Sequence, residues 1–315
     1  MTREDIHLIS KHSNWSESGV EQALKANVYN NSQAWKRFLK LFFMGFGVCF
    51  TALGIIFFFA YNWNDLPKFV KIGMTEVLII TTTALVLFSK INTTIKNIIL
   101  TGTSVLVGAL FAVFGQVYQT GASAYDFFLG WTVFITLWVI VSNFAPLWLV
   151  FLTLLNTTFI LYAQQVAHDW SQTFVYMLLF IGNTLFLIVS MQLSKLIPAS
   201  KIPVWFASSL ALACVSFTTL GIINGIFETR NTAFWILIFL TSLVYVAGIR
   251  YGLKTKSVFY LALIPFSIII IVSALLLNLS NEAGMLLLIG LFIVGSVTLL
   301  IKILLDFQKK WTDEK

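Results

Sequence analysis

Ten stretches of this chain, each about 16–23 residues long, are too apolar for a water-soluble domain, and together they cover most of its length. A helix rises about 1.5 Å per residue, so roughly 20 apolar residues cross a bilayer core of about 30 Å. The chain therefore reads as all-α: a polytopic transmembrane helix bundle of about ten spans. The spans fall at 39–61, 69–88, 98–117, 125–141, 147–163, 173–193, 204–223, 233–249, 258–277 and 283–305. Residues 1–38 form a short helical cytoplasmic extension, 39–305 the transmembrane bundle and 306–315 a cytoplasmic tail.

Charge and composition agree. Hydrophobic residues make up 58% of the chain and charged residues 10%, with a mean hydropathy of +0.89; an ordinary soluble domain is about 25% charged. The net charge of +7 does not point to nucleic acid, because the basic residues flank the apolar spans. The partner they imply is the lipid bilayer, with a membrane-protein partner or a second copy of the chain also open. The two cysteines, Cys49 and Cys214, each lie inside a span, so no disulfide framework or zinc spacing exists. A cleavable signal would need an apolar run near the start, and the first 38 residues are polar, so the first span is expected to be retained.

Orientation follows from the basic residues near the spans. Seventeen of the 20 Lys and Arg fall on the side of the N-terminus, and only Lys68, Lys71 and Arg230 on the other. Both termini are expected in the cytoplasm. Trp35, Trp63, Trp148, Trp170, Trp205 and Trp235 lie near span ends, where an indole keeps its ring apolar and its N–H paired. Pro67, Pro146, Pro198 and Pro203 fall in the gaps, and Pro265 inside the ninth span predicts a packing kink. The N-terminal segment reads as two short helices. Ser18 caps the second, with Glu21 completing a capping box and Val20, Leu24 and Val28 on one face. About 38 residues bury too little surface to fold alone, so this segment should dock on the bundle or a partner.

The third span carries Ser104, Gly108, Ala112 and Gln116 four residues apart, on one helix face. Small residues let helix backbones approach closely, which predicts an interior helix; a groove facing a ligand is the alternative. Gly108→Leu is expected to be more disruptive than the same change at Val107. Glu76 is the one acidic residue inside a span, about 10 Å deep. An ionisable group there usually faces the bundle interior or water, and with no basic residue three or four positions away its partner must come from another helix. The segment 115–126 reads G-Q-V-Y-Q-T-G-A-S-A-Y-D, with Gln116, Tyr118, Gln119 and Thr120 on the outer side. Asp126 has two readings: a cap partner of Ser123 at a helix start, or part of an outer mouth. Asp65 sits in the polar loop 62–67, on the same side. Asn156 and Asn183, near mid-span, read as packing groups that bond across helices. His7, His12 and His168 all lie outside the spans, and no zinc-protease, phosphate-loop or nucleophile-elbow motif occurs. No catalytic, cofactor-binding or metal-binding residue is assigned, and a non-enzyme is expected.

The pattern F-A-Y-N-W-N-D-L-P-K at 59–68, followed by F-G-Q-V-Y-Q-T-G-A-S-A-Y-D-F-F-L-G-W at 114–131, resembles bacterial predicted membrane proteins grouped as domain of unknown function 2157. The resemblance covers roughly residues 1–165. It implies a bacterial multi-spanning protein and supplies no activity, so no functional residue carries over. The last five spans carry no assignable motif. Two functions stay open: transport or permeation of a small solute or ion, with Glu76, Asp65, Asp126, Gln116, Tyr118 and Gln119 as its candidate cluster, or a non-catalytic scaffold or sensor acting through the N-terminal segment.

Overall fold

Length and apolarity place the helices, and they form where the sequence predicts. The structure, a computed structural model, describes residues 3–29, 32–62, 64–119, 121–196, 202–228, 230–280 and 282–313. Trp63, Thr120, Pro198, Lys201 and Lys315 lie outside them. All regular elements among the described residues are helices: α1 (Arg3–His12), α2 (Glu17–Asn27), α3 (Ser32–Tyr61), α4 (Lys68–Phe88), α5 (Thr93–Tyr118), α6 (Ala124–Ser142), α7 (Ala145–Gln165), α8 (Gln172–Leu196), α9 (Val204–Phe227), α10 (Thr232–Lys254), α11 (Val258–Leu279) and α12 (Ala283–Asp313). Ten helical segments are long and apolar enough to cross a membrane, and each contains one of the ten predicted spans. The helices outrun the apolar cores by up to two turns, because hydrogen bonding continues into the polar flanks. Helix α11 runs unbroken through Pro265.

The chain divides into two compact units, one ending at Thr158 and one beginning at Phe159. In the first, α5 is central and packs on α3, α4 and α6. Its Leu100, Leu106 and Val107 meet Ile79, Ile135, Val139, Leu147 and Leu154, with Phe111, Trp131, Trp138 and Trp148 closing the cluster. Gly108 is where α5 takes in α6: a Cβ there would stand 2.6 Å from the Trp131 ring. The same indole donates its N–H to the Ser104 carbonyl at 2.7 Å. The small face of α5 therefore admits a large aromatic side chain rather than a neighbouring backbone. It is also only half interior, since Ser104 and Gly108 are buried while Ala112 and Gln116 are exposed. Val107 is fully buried in the same core, so it cannot serve as the tolerant neighbour of Gly108.

The N-terminal pair differs from expectation in its cap. Ser16, not Ser18, caps α2 and accepts from the Gly19 N–H at 3.2 Å. The Ser18 hydroxyl lies 3.0 Å from that of Ser16. Glu21 does not reach back; it pairs with Lys25 one turn on at 2.7 Å. Starting two residues earlier puts Glu21 inside the helix, where its i+4 neighbour is closer than the cap. Val20 and Leu24 do share a face, which with Ile6, His7 and Ser10 lines a groove on α1.

The second unit is built around α9, which packs on α8, α10 and α11. Helices α9, α10 and α11 run alternately. Gly221 faces Leu237 and Gly225 faces Phe234 across one seam, and Gly248 faces Ile264 and Gly252 faces Leu261 across the next. Short connections favour such antiparallel neighbours. One end of this unit carries Lys195, Arg250, Lys254, Lys256, Lys302, Lys309 and Lys310, with Asp306 and Asp313 on α12 among them. The other end carries Asp169, Glu228 and Glu282 with Arg230.

Candidate functional site

The six residues singled out by sequence all belong to the first unit, and all six are exposed. Asp126 is the third residue of α6 and closes a capping box. Its carboxylate accepts from the Ser123 N–H and from the Ser123 hydroxyl, both at 3.0 Å, and the Ser123 oxygen faces the Asp126 N–H at 3.4 Å. Those bonds occupy the carboxylate with helix initiation. Gln119 ends α5 in the left-handed region, φ 46°. Tyr118 packs its ring on Phe114, centroids 4.6 Å apart. Asp65 closes the α3–α4 turn with its N–H on the Asn62 carbonyl at 3.2 Å. Gln116 stands on the exposed part of α5.

Glu76 is not the interior group its depth suggested. The inward face of α4 runs Lys71, Thr75, Ile79, all buried, and Glu76 stands about 100° around from Thr75, between exposed Met74, Val77 and Ile80. It makes no hydrogen bond or ion pair among the described residues. The buried ionisable residue of α4 is instead Lys71, in its first turn and 7% exposed. No two of the six candidates hydrogen-bond to each other among the described residues. The Asn183 amide donates to the Leu179 carbonyl of its own helix at 2.8 Å.

Cross-helix polar contacts in the first unit are the Trp131 N–H on the Ser104 carbonyl and the Thr132–Thr158 hydroxyl pair at 3.3 Å between α6 and α7; in the second unit hydroxyls link three helices. Thr218 meets Thr241 between α9 and α10 at 2.5 Å. Thr219 on α9, Ser267 on α11 and Tyr245 on α10 form a chain, Thr219 to Ser267 at 2.6 Å and Ser267 to Tyr245 at 2.5 Å. The Thr219 hydroxyl donates to the Val215 carbonyl at 2.6 Å. Each hydroxyl has one proton, so Ser267 donates to Thr219 and Tyr245 donates to Ser267. The phenolic oxygen of Tyr245 is left with acceptor capacity only.

That oxygen belongs to a residue lining a cavity of about 390 Å³ between α8, α9, α10 and α11. The walls are mainly apolar, from Leu187, Ala211, Val215, Leu263 and Ile264. Polar groups come from Thr184, Gln192, Lys195, Tyr251 and Tyr260. The Thr184 hydroxyl is buried without an oxygen or nitrogen partner, and the Cys214 thiol, a weak hydrogen-bonding group, faces it. Tyr251 and Tyr260 meet edge to face, ring centroids 5.2 Å apart. The lining residues of α9 and α11 are buried or half-buried, whereas Ile188, Gln192 and Lys195 on α8 and Ala247 and Tyr251 on α10 are exposed. The cavity therefore opens sideways, between α8 and α10, toward the basic end of the unit. The size and the mix of apolar wall with a few polar groups suit a small-molecule site. Its residues keep a helical spacing within each helix but come from four helices, and such spacing marks any inward face, so no motif announced them.

The first unit has a cleft of about 470 Å³ between α3, α4 and α5, of a different kind. Its threonines bond back to their own helices: Thr51 to the Gly47 carbonyl at 2.7 Å, Thr82 to Leu78 at 2.7 Å, Thr103 to Ile99 at 2.9 Å. None of the six candidates lines either space. Among the described residues no group of three or more His, Cys, Asp or Glu side chains could hold a metal ion.

Residues 15–148 match the model of a family described as predicted membrane protein, domain of unknown function 2157, so this part of the chain carries the family's pattern as its 59–68 and 114–131 motifs suggested. No curated protein and no solved structure matches the chain. The chain is a membrane protein with about ten apolar spans. The matched stretch lies wholly in the first unit, and the cavity lies in the second.

Proposed function

We propose that the protein transports, or lets pass, a small amphipathic solute that it holds in the cavity of its second unit, without catalysing a reaction. The carrying observation is that cavity: apolar walls, an acceptor at Tyr245, a Thr184 hydroxyl met only by the Cys214 thiol, and a side opening within the span region. Glu76 and the outer residues of the first unit are not its working parts in this reading. The seat is the cytoplasmic membrane of a bacterium with both termini inside, a placement supported by the bias of 17 of the 20 basic residues to one side. Impermeant thiol reagent should reach a cysteine at Glu228 and not one at Thr255 in intact cells; the reverse pattern would invert the orientation.

The test of function uses the full chain in liposomes with a panel of fluorescent single-chain amphiphiles, anionic, zwitterionic and cationic. At least one should bind and exchange faster than across protein-free vesicles, and Ala247→Trp, which plugs the opening from an exposed position, should remove the effect. The reading fails if no member responds, or if the plugged variant behaves as the parent.

A second reading, a scaffold or sensor, has its own support. Helices α1 and α2 pack on each other through Ile6 and leave a groove between Arg3, His7, Val20 and Leu24. Deleting residues 1–29 should leave solute exchange intact under the first reading and abolish partner-dependent behaviour under the second.

A further inference from the structure

The cavity of the second unit has a polarity along its length. Its deep wall is Tyr245, whose proton is spent on Ser267, together with Leu263, Ile264 and Val215. The donors there are the Thr184 hydroxyl and the weakly donating Cys214 thiol that faces it. The mouth is the opposite. Lys195 and Gln192 stand in the last turns of α8, beside Tyr251 of α10, and no acidic side chain lines any part of the space. Around the mouth the same end of the unit adds Arg250, Lys254 and Lys256. A ligand matching this gradient has an apolar chain to lie inward and an anionic head to stay at the end with the cations. The opening is lateral, between α8 and α10, so such a molecule can enter from the bilayer without crossing water.

We propose that the occupant is an anionic membrane lipid, one chain lying between α8 and α10 against Tyr245 and its head group held by Lys195. The proposal rests on the reading of the cavity as a ligand site and names the class of molecule it takes. Charge complementarity carries it: the apolar length alone would accept any chain, and Lys195 selects the head.

The experiment uses the full chain in zwitterionic detergent micelles, titrated with phosphatidylglycerol or with phosphatidylcholine of the same chains, with retained lipid counted by native mass spectrometry. One phosphatidylglycerol should be retained, preferred over phosphatidylcholine by about five-fold, the size expected of one cation near a lipid head. Lys195→Gln should bring the two lipids to near-equal retention while the chain site survives. Ala247→Trp should remove both lipids, with an unchanged melting temperature as the check on folding. Equal retention of the two lipids by the parent protein overturns the proposal, as does a preference that survives Lys195→Gln or a lipid that survives Ala247→Trp. Displacement of the lipid by inorganic phosphate also overturns it, because the head would then be recognised alone. If the proposal fails while an uncharged or cationic amphiphile still exchanges in liposomes, the solute reading stands and only the ligand class is wrong.

Discussion

Threonine hydroxyls line both the cleft of the first unit and the helix seams beside the cavity of the second, and they are used in different ways. Around the cleft, Thr51, Thr82 and Thr103 each close onto a carbonyl one turn back in the same helix. Beside the cavity, Thr218 and Thr219 reach Thr241 and Ser267 on neighbouring helices. The first unit has one long hydroxyl contact across helices, Thr132 to Thr158 at 3.3 Å, and is held mainly by interlocking rings, with Trp131 set against Gly108 and tied to the Ser104 carbonyl. Self-satisfied hydroxyls leave helices free to slide on apolar contact, whereas cross-linked ones set a register. Three of the four helices that wall the cavity are pinned in this way, and the opening falls beside α8, which none of these hydroxyl links reaches.

The largest expected effect tests the ring-locked unit. Gly108→Leu should cost about 3 kcal/mol or more, because the new side chain meets the Trp131 ring and must push α6 away. Thermal unfolding in detergent reads it; a loss below about 1 kcal/mol would mean that the indole has another resting place and the lock is not real. A sharper test compares hydroxyls. Thr219→Val and Ser267→Ala, alone and together, should show a coupling energy of about 0.5–2 kcal/mol, whereas Thr82→Val should cost under about 0.5 kcal/mol. Equal costs in the two units would erase the distinction.

The third prediction separates a cap from a site. Ser123→Ala should lower stability by about 1 kcal/mol through loss of the α6 cap, while Glu76→Gln should change it by less than about 0.5 kcal/mol and leave solute exchange unaltered. Loss of exchange in Glu76→Gln would return the function to the first unit. The smallest effect lies in α2. Lys25 holds the Glu21 carboxyl below its ordinary range, and Glu21 holds the Lys25 ammonium above its own. The pair supports α2 above the ordinary carboxylate range and loses that support as pH falls through the lowered Glu21 value. At the alkaline end the support is present below the ordinary lysine range and goes as pH rises through the raised Lys25 value. Both groups are fully exposed, so salt should flatten the effect. Amide NMR of α2 across pH, at low and high salt, would show it.

Helix positions were legible in the sequence because crossing a bilayer is a demand on length and apolarity, and both are one-dimensional. The capping box at Ser123 and Asp126 was legible for the same reason, its partners being three residues apart. Direction around a helix was harder. Depth along α4 singled out Glu76, but the buried stripe Lys71, Thr75, Ile79 decides which way the helix faces. That stripe has a sequence signal: it holds a threonine among larger apolar neighbours, and buried hydroxyls recur on inward faces throughout this chain. The cavity had no such signal. Thr184 and Lys195 share a face of α8, but they line one space with Tyr245 of α10 and Tyr260 of α11 only after the helices pack.

The hydroxyl links of α9 also bear on how the protein is made. Thr218 and Thr219 are synthesised before their partners, Thr241 lying 23 residues later and Ser267 48 residues after Thr219. At roughly 5–20 residues per second, α9 waits about one to ten seconds in or beside the bilayer before α10 and α11 follow. During that interval α8, already made, can cover the Tyr176 side of Gly221, while the two hydroxyls and the bare backbone at Gly225 still lack the helices that will meet them. The helix that ends as the most enclosed part of the second unit begins as the one most in need of shelter.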